Sequence, residues 1–302
     1  MIRRPPRSTQ SRSSAASDVY KRQGFRLFGG QVLAQAMRAA YQTINNRDLH
    51  SLHAYFLRGG VGDKPVLFEV ERVRDGNSFS MRRIVAIQNG EPIFNMDLSF
   101  QIRESGYQHS LPMPNVPPPE ELEDDVKVAV NIKNSHNNMS PMAKIQRPFQ
   151  TRSVFQLGSE EWKMERFSNP VWVKFRKAID PLDQELSRCL VGYASDMGLV
   201  STSTLPHMSS VSREKLQLAS LDHSLWIHRD VPIDDWMLFN KRTSSANGSR
   251  GMNHADFFSK EGELVASVSQ EGLIRSASEP VSYTHLRAHE TLRYLVCRLL
   301  LE

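Results

Sequence analysis

The hydrophobic and polar positions along the chain predict a helix followed by several short strands. Within residues 30–44, apolar residues recur at helical spacing, which predicts an amphipathic helix. Three strand-like runs come next, HAYFLR, VLFEVERV and FSMRRIVAIQ, and the turn dipeptides Asp75-Gly76 and Asn89-Gly90 follow the latter two. One long helix and an antiparallel meander predict an α+β unit in which the sheet wraps the helix.

The same pattern occurs a second time. The segment GEPIFNMDLSFQIR at residues 90–103 has the frame of GELVASVSQEGLIR at residues 262–275, an offset of 172 residues. The strand AYFLR falls on LWIHR at an offset of 171, and the helix around Ala39 falls on a helix around Ala194 at an offset of 155. Two copies of one unit predict a tandem arrangement, with a longer loop after the second helix.

The 302 residues therefore divide into two units and a connection. We expect the first unit at residues 24–110 and the second at residues 148–276. Between them, residues 111–147 begin with five prolines and the acidic string EELEDD. This composition predicts an inter-domain linker, with a flexible stretch at NIKNSHNNMS.

Most of the basic charge lies at the two ends of the chain. Of the formal net charge of +5, residues 1–23 carry +5 and residues 281–302 carry +1, which leaves −1 for the segment between them. Both end segments resemble translated sequencing-adapter sequence, and we expect them to be non-native. A transit peptide is the alternative for residues 1–23. Without these segments, the charge gives no reason to expect a nucleic-acid partner.

The remaining composition excludes several kinds of site. Cys189 is the one cysteine outside the end segments, so we expect no disulfide within the body of the chain. No apolar run reaches about 18 residues, which predicts that no segment spans a membrane. No set of His, Cys and carboxylate residues has the spacing of metal ligands, so we expect no metal ion and no cofactor.

Six strings of the chain resemble the type II acyl-CoA thioesterases, both bacterial and peroxisomal. In order along residues 24–276, they are FGGQVLAQA, HAYFLR, RDGNSFSMRR, GYASD, LDHSLWIHR and ASVSQEGLIR. The resemblance implies a tandem double hot-dog fold, which agrees with the internal repeat. It also implies hydrolysis of fatty acyl-CoA to a free fatty acid and CoA.

The resemblance has further consequences for the first unit and for the setting of the protein. The family's opening strand, which precedes the FGGQ string, is not matched, so we expect the first unit to be truncated at its N-terminus. The peroxisomal members imply the peroxisomal matrix as the location, with the cytoplasm as the alternative. Because hot-dog units generally pair their sheets, we also expect a homo-oligomer.

The resemblance places the catalytic residues at three positions of the second unit. They are Asp196 in GYASD, Ser220 ahead of the DHS string, and Gln270 in QEG. A carboxylate can take a proton from a water molecule that attacks the thioester carbonyl, while a hydroxyl and an amide hold that water. Backbone N–H groups at a helix start, at Gly29 and Gly30, are candidate donors to the developing oxyanion.

Two further expectations follow for the reaction. We expect no covalent acyl-enzyme, because the chain has no G-x-S-x-G motif and the sequence places no base beside Ser220. At the offsets of the repeat, the three catalytic positions of the second unit fall on Tyr41, Leu49 and Leu98 of the first. Since these residues cannot perform the same chemistry, we expect one site in each chain.

Structural interpretations remain open for the same residues. Asp196 can be a solvated helix end, Ser220 a strand-start hydroxyl and Gln270 a surface amide. We interpret three histidines as structural: His53, His223 and His228. Four arginines are interpreted as a solvated strand face, with contact to CoA phosphates as the alternative: Arg72, Arg74, Arg82 and Arg83.

Two other functions are alternatives to hydrolysis. The first is a hot-dog protein that binds acyl-CoA without hydrolysing it. The second is a hot-dog hydratase, which needs an Asp/His pair. We set the hydratase aside because Asp222 and His223 are neighbours on a predicted strand and therefore point to opposite faces.

Overall fold

The computed structural model describes residues 26–134, 148–180, 183–210 and 216–276. The α-helices are α1 (Gly29–Tyr41), α2 (Asp125–Asn134), α3 (Glu160–Lys163) and α4 (Gln184–Ser195), and 3₁₀ helices cover Pro119–Glu121 and Val200–His207. The strands are β1 (Asp48–Phe56), β2 (Leu67–Asp75), β3 (Phe79–Gln88), β4 (Glu91–Gln101), β5 (Phe149–Ser153), β6 (Ser168–Phe175), β7 (Leu216–Ser220), β8 (Asp222–Ile227), β9 (Met237–Asn247), β10 (Arg250–Ser259) and β11 (Leu264–Ser276).

These strands form one antiparallel sheet that runs through both units. Its order is β2-β3-β4-β1-β8-β11-β10-β9-β6-β5, and β7 also pairs with β11, beside β8. Strands β1 and β8 come after the long helices α1 and α4, and they pair with each other where the two units join. The predicted tandem double hot-dog is confirmed.

The strand registers reproduce the offsets of the sequence repeat. In the first unit, β1 has one extra residue between Leu49 and Ser51 relative to β4. In the second unit, one extra residue lies between Ser220 and Ser224 relative to β11. Where the units meet, His53 pairs with Ser224, 171 residues further along the chain. Positions 53 and 224 are equivalent in the two copies of the repeat. Exchanging the two units therefore maps this pair onto itself, and an approximate two-fold axis passes through it.

The two long helices lie antiparallel and side by side on the inner face of the sheet. Near one end of the pair, the guanidinium of Arg38 in α1 donates to the carboxylate of Glu185 in α4 at 2.8 Å. Gly192 of α4 faces Met37 of α1, and a Cβ on this glycine would lie 2.4 Å from the sulfur atom. The small residues that the sequence places on both helices therefore permit the close approach. As a result, the start of α1 lies against the end of α4.

The segment predicted as a linker packs against the second unit. It contains α2, which includes the start of the stretch that we expected to be flexible, and residues 135–147 lie outside the described ranges. The carbonyl of Pro117 accepts a hydrogen bond from Trp172 Nε1 at 2.9 Å. The Asp125 carboxylate accepts from the backbone N–H and the hydroxyl of Ser153 at 2.8 and 3.0 Å. The described part of this segment therefore covers the β5–β6 end of the sheet.

The expectation of a solvated arginine face on β3 is wrong for Arg82. Its side chain is 2% exposed and donates to Thr43 Oγ1 at 2.8 Å and to the Asp75 carboxylate at 2.7 Å. Neighbours on a strand point to opposite faces, so Arg82 turns inward while Arg83 turns outward, where it donates to Asp97 at 2.9 Å.

Two further expectations concern the ends of the chain and membrane-spanning helices. The end segments that we expect to be non-native, residues 1–23 and 281–302, lie outside the described residues. Within the described ranges, none of the helices has both the length and the apolar content that a membrane crossing requires.

Candidate active site

Asp196 lies where the end of α4 meets the start of α1. Its Oδ2 accepts a hydrogen bond from the backbone N–H of Gly30 at 2.9 Å. Its Oδ1 accepts from the hydroxyl of Ser220 at 3.1 Å and from Nε2 of Gln270 at 2.8 Å. The structure therefore brings the three residues predicted from the sequence into one hydrogen-bonded cluster. The solvated-end interpretation of Asp196 is wrong, because the residue is only 8% exposed.

The ends of the two helices explain the position of this carboxylate. Asp196 is the C-cap residue of α4, and the chain then turns away through Gly198, which has a left-handed φ of +70°. Facing it, a Cβ on Gly29 would lie 2.7 Å from Asp196 Oδ2, so the glycines of the FGGQ string let the first turn of α1 reach the carboxylate. Amide groups and the positive end of the helix dipole favour a negative charge there.

The backbone N–H of Gly30 has a different partner from the one expected from the sequence. We expected the N–H groups of Gly29 and Gly30 to be candidate donors to an oxyanion. The N–H of Gly30 instead donates to Asp196, so this group holds the carboxylate in position.

Ser220 and Gln270 approach Asp196 from two paired strands. Ser220 is the last residue of β7, and Gln270 lies in β11, to which β7 and β8 both pair. At the bulge between β7 and β8, Asp222 Oδ1 accepts from the backbone N–H of Glu271 at 2.7 Å. Bulges are common beside active sites because they redirect side chains. Here the bulge brings a strand-end hydroxyl and a mid-strand amide to the same carboxylate.

His223 extends the cluster, although the sequence analysis interpreted it as structural. Its Nδ1 lies 3.0 Å from Gln270 Nε2, and its Nε2 lies 2.8 Å from the hydroxyl of Ser195. The side chain is fully buried, and the Ser195 hydroxyl donates to the carbonyl of Gly192 at 2.9 Å. The only sequence signal was the position of His223 within the DHS string. The other two histidines are different, because His53 and His228 contact the serines at 224 and 267 on the exposed side of the sheet.

Burial sets the charge states in the cluster. It raises the pKa of Asp196 above its ordinary value, and the hydrogen bonds from Gln270, Ser220 and the Gly30 amide lower that pKa in part. Burial lowers the pKa of His223 to about 3. The imidazole is therefore neutral near pH 7, and Asp196 is the group of the cluster that can take up a proton.

Two buried amide side chains belong to residues that pair across neighbouring strands in the second unit's part of the sheet. Gln270 and Asn253 are paired across β11 and β10, and both residues are fully buried. Asn253 Nδ2 donates to the carbonyl of Gly251 at 3.2 Å. Among the described residues, neither Gln270 Oε1 nor Asn253 Oδ1 has a hydrogen-bond partner. The site therefore has two acceptor atoms for groups that carry O–H or N–H, and the sequence analysis did not single out Asn253.

The first unit has no counterpart of this cluster. The repeat offsets place Tyr41, Leu49 and Leu98 at the positions of the three polar residues, and all three are buried in the hydrophobic core. The hydroxyl of Tyr41 accepts a hydrogen bond from the backbone N–H of Leu49 at 3.2 Å. The carboxylate, the strand-end hydroxyl and the mid-strand amide occur together only in the second of the two described units.

In the described ranges, no three His, Cys, Asp or Glu side chains are grouped so that they could hold a metal ion. The expectation that the protein works without a metal or a cofactor remains a prediction.

Two protein-family models match the chain. Acyl-CoA thioesterase matches residues 143–273, and Acyl-CoA thioesterase N-terminal domain matches residues 16–101. The second match overlaps the end segment 1–23, which we expected to be non-native. Acyl-CoA thioesterase 2 of Haemophilus influenzae is 36% identical over 261 residues, which cover 83% of this chain and 89% of the relative.

Other relatives agree with these matches. Acyl-coenzyme A thioesterase 8 of Homo sapiens is 36% identical over 260 residues, covering 83% of this chain and 81% of the relative. Among solved structures, the acyl-CoA thioesterase II TesB2 from Mycobacterium marinum superimposes with a TM-score of 0.69 at 36% identity, covering 83% of this chain and 90% of that one. The chain belongs to the acyl-CoA thioesterase family, and the resemblance found in the sequence is confirmed.

Proposed function

We propose that this protein hydrolyses fatty acyl-CoA thioesters to free fatty acid and CoA, with Asp196, Ser220 and Gln270 as its catalytic residues. The observation that carries the proposal is the buried Asp196 carboxylate, which receives hydrogen bonds from Ser220, Gln270 and the Gly30 amide. The family supports the substrate class, since the relatives are named for acyl-CoA thioester hydrolysis.

The reaction needs a water molecule, a base and an orientation for the attack. Gln270 Oε1 accepts one hydrogen of the water, and Asp196 accepts the other as the water oxygen attacks the thioester carbonyl carbon. The raised pKa of Asp196 makes its carboxylate a stronger base than an exposed aspartate. The tetrahedral intermediate then collapses, the carbon–sulfur bond breaks, and protonated Asp196 returns its proton to the CoA sulfur. Water adds its oxygen and one hydrogen to the acyl group, so the products are the fatty acid and CoA thiol.

The developing oxyanion requires at least one donor. With the N–H of Gly30 bound to Asp196, we assign this role to the N–H of Gly29 in the same helix turn. The glycine pair would then serve both the base and the oxyanion.

We assign Ser220 to holding the attacking water beside Asp196 rather than to nucleophilic attack. One premise of the sequence analysis does not hold, because Ser220 Oγ lies 3.1 Å from a carboxylate that is able to act as a base. We favour water because Gln270 Oε1 is a buried acceptor without a partner among the described residues, which a water molecule beside Asp196 would satisfy and a serine nucleophile would not. A serine nucleophile predicts that Ser220→Ala is inactive and that acyl-enzyme can be trapped with hydroxylamine. A positioned water predicts residual turnover and no trapped acyl-enzyme.

The proposal is tested by measuring CoA release from medium- and long-chain acyl-CoA with a thiol reagent. We expect turnover by the full chain, and its loss by about 10²-fold or more in Asp196→Asn and Gln270→Ala. His228→Ala is the matched control, because this histidine contacts Ser267 outside the cluster. Tight binding of acyl-CoA without turnover by the unaltered chain would overturn the enzyme proposal and favour the non-catalytic binding protein.

We propose the peroxisomal matrix as the compartment and a homo-oligomer as the assembly state. The name of a Saccharomyces cerevisiae relative, peroxisomal acyl-coenzyme A thioester hydrolase 1, supports the peroxisomal matrix at 23% identity over 303 residues. The bacterial relative supports the cytoplasm as the alternative. Homo-oligomer formation remains a prediction, and light scattering of the purified chain would decide it.

A further inference from the structure

A chain of hydrogen bonds leads from the backbone of α4 to the catalytic amide, and its first link has only one possible direction. The carbonyl oxygen of Gly192 can only accept, so the Ser195 hydroxyl, at 2.9 Å, donates its single proton to it. Ser195 Oγ then has no proton left for His223 Nε2, which lies 2.8 Å away. Nε2 of His223 must therefore carry the proton and donate it to Ser195.

The second link fixes the other face of the imidazole. His223 is fully buried and neutral near pH 7, so a ring that carries a proton on Nε2 has a bare Nδ1. That nitrogen lies 3.0 Å from Gln270 Nε2 and accepts one of its two protons. The second proton of Gln270 Nε2 goes to Asp196 Oδ1 at 2.8 Å. Both donor positions of the amide are thus occupied.

The orientation of the Gln270 side chain follows from these assignments. If the amide were reversed, its oxygen would face the Asp196 carboxylate and the bare His223 nitrogen, which are both acceptors. The observed orientation leaves Oε1 without a partner among the described residues. This is the atom that the proposed mechanism needs as an acceptor for the attacking water.

We propose that His223 and Ser195 are positioning residues that hold the Gln270 amide so that its oxygen, and not its NH2 group, faces the reacting water. The proposal rests on the hydrolysis proposed above and extends it to two residues that do not touch the substrate.

The first unit shows that this hydrogen-bond chain is not a packing requirement of the fold. At the repeat offsets, Ala40, Leu52 and Leu98 occupy the positions of Ser195, His223 and Gln270. Leu52 and Leu98 are paired across β1 and β4, and all three residues are buried. The same arrangement of helix and strands therefore packs with apolar residues at each position, and the three polar residues occur together in the unit that carries Asp196.

The test compares two substitutions of one residue. In His223→Asn, the asparagine Oδ1 is separated from Cα by the same number of bonds as Nδ1 of histidine. It can therefore still accept a hydrogen bond from Gln270. In His223→Leu no acceptor remains, and leucine is tolerated at the equivalent position 52. We expect His223→Leu to lower kcat by about 10²-fold with a much smaller change in KM, because the misplaced water affects the chemical step. We expect His223→Asn to recover a large part of that loss.

A second measurement does not depend on activity. NMR of the full chain with 15N-labelled histidine should show His223 as the neutral form protonated at Nε2 from about pH 5 to pH 8. Ser195→Ala should leave Nε2 without its acceptor and produce a mixture of the two neutral forms, together with an intermediate loss of kcat.

The results separate the two proposals. Equal kcat values for His223→Asn and His223→Leu, or a proton on Nδ1 in the unaltered protein, would overturn the positioning role. If His223→Leu does not fold, the NMR assignment and Ser195→Ala still decide. An unaltered protein that binds acyl-CoA without turnover, with the expected proton on Nε2, would instead overturn the proposed hydrolysis.

Discussion

The contact between α1 and α4 gives a quantitative prediction for Gly30→Ala. A Cβ at this position would lie 2.3 Å from the carbonyl oxygen of Tyr193, whereas real contacts of this kind stay above 3.0 Å. Because the obstacle is backbone, the two helices must separate by at least the difference of 0.7 Å. Overpacking of this kind costs about 1–3 kcal/mol.

The same shift moves the Gly30 amide away from Asp196, to which it donates at 2.9 Å. A hydrogen bond to a charged group contributes about 1.5–3 kcal/mol. The combined cost is about 2.5–6 kcal/mol, and at about 2–4 °C per kcal/mol we expect Tm to fall by at least about 5 °C. If Asp196 is the base of the proposed mechanism, a displacement of this size should also lower kcat by about 10²-fold.

Thermal denaturation and the CoA-release assay measure the two effects, with Gly59→Ala as the matched control. Gly59 is exposed, and the nearest atom to its added Cβ is Nε of the Arg26 side chain at 3.4 Å, so the alanine fits. We expect the control to keep its activity and its Tm, because alanine at a compatible site changes stability by less than about 1 kcal/mol. If Gly30→Ala matched the control in both measurements, the close helix contact would not hold the carboxylate.

Four further predictions concern three side chains. Ser220→Ala removes one hydrogen bond to a carboxylate, worth about 1.5–3 kcal/mol, so kcat/KM should fall by about 10- to 150-fold, while Ser220→Thr should stay within a few-fold. The proposed mechanism needs ionised Asp196, so kcat/KM should fall as pH drops through the raised pKa of this carboxyl group. An acid limb at or below the ordinary value of 3.8 would contradict the buried carboxylate. Since the folded-state pKa is raised, the stability contribution of protonated Asp196 is complete below 3.8 and is lost as pH rises through the raised value. Urea unfolding should therefore show Asp196→Asn gaining stability relative to the unaltered protein over that window, and no gain would contradict the raised pKa. Arg188→Met removes bonds to the Leu49 carbonyl and the Asp230 carboxylate, so Tm should fall while kcat stays within a few-fold.

The sequence by itself determined the architecture and the identity of the three candidate catalytic residues. The repeat offsets of 171 and 172 residues specified two equivalent units, and the strand registers in the structure follow the same offsets. Periodicity was sufficient because a sheet with one buried face specifies its register through the alternation of side chains. The family strings supplied Asp196, Ser220 and Gln270, which no pattern of hydrophobicity could have separated from ordinary polar residues.

Only the tertiary structure decided how these residues are connected. Gly30 and Asp196 are 166 residues apart, and the direction of each hydrogen bond depends on helix ends and strands that meet in space. For the same reason His223 was interpreted as structural: a histidine in a strand becomes part of a site only through the groups on both of its nitrogens. Arg82 was misjudged because local composition reports polarity but not the face of the strand on which a side chain lies. Burial, which raises the pKa of Asp196 and keeps His223 neutral, is likewise a property of the packed units and not of any single segment.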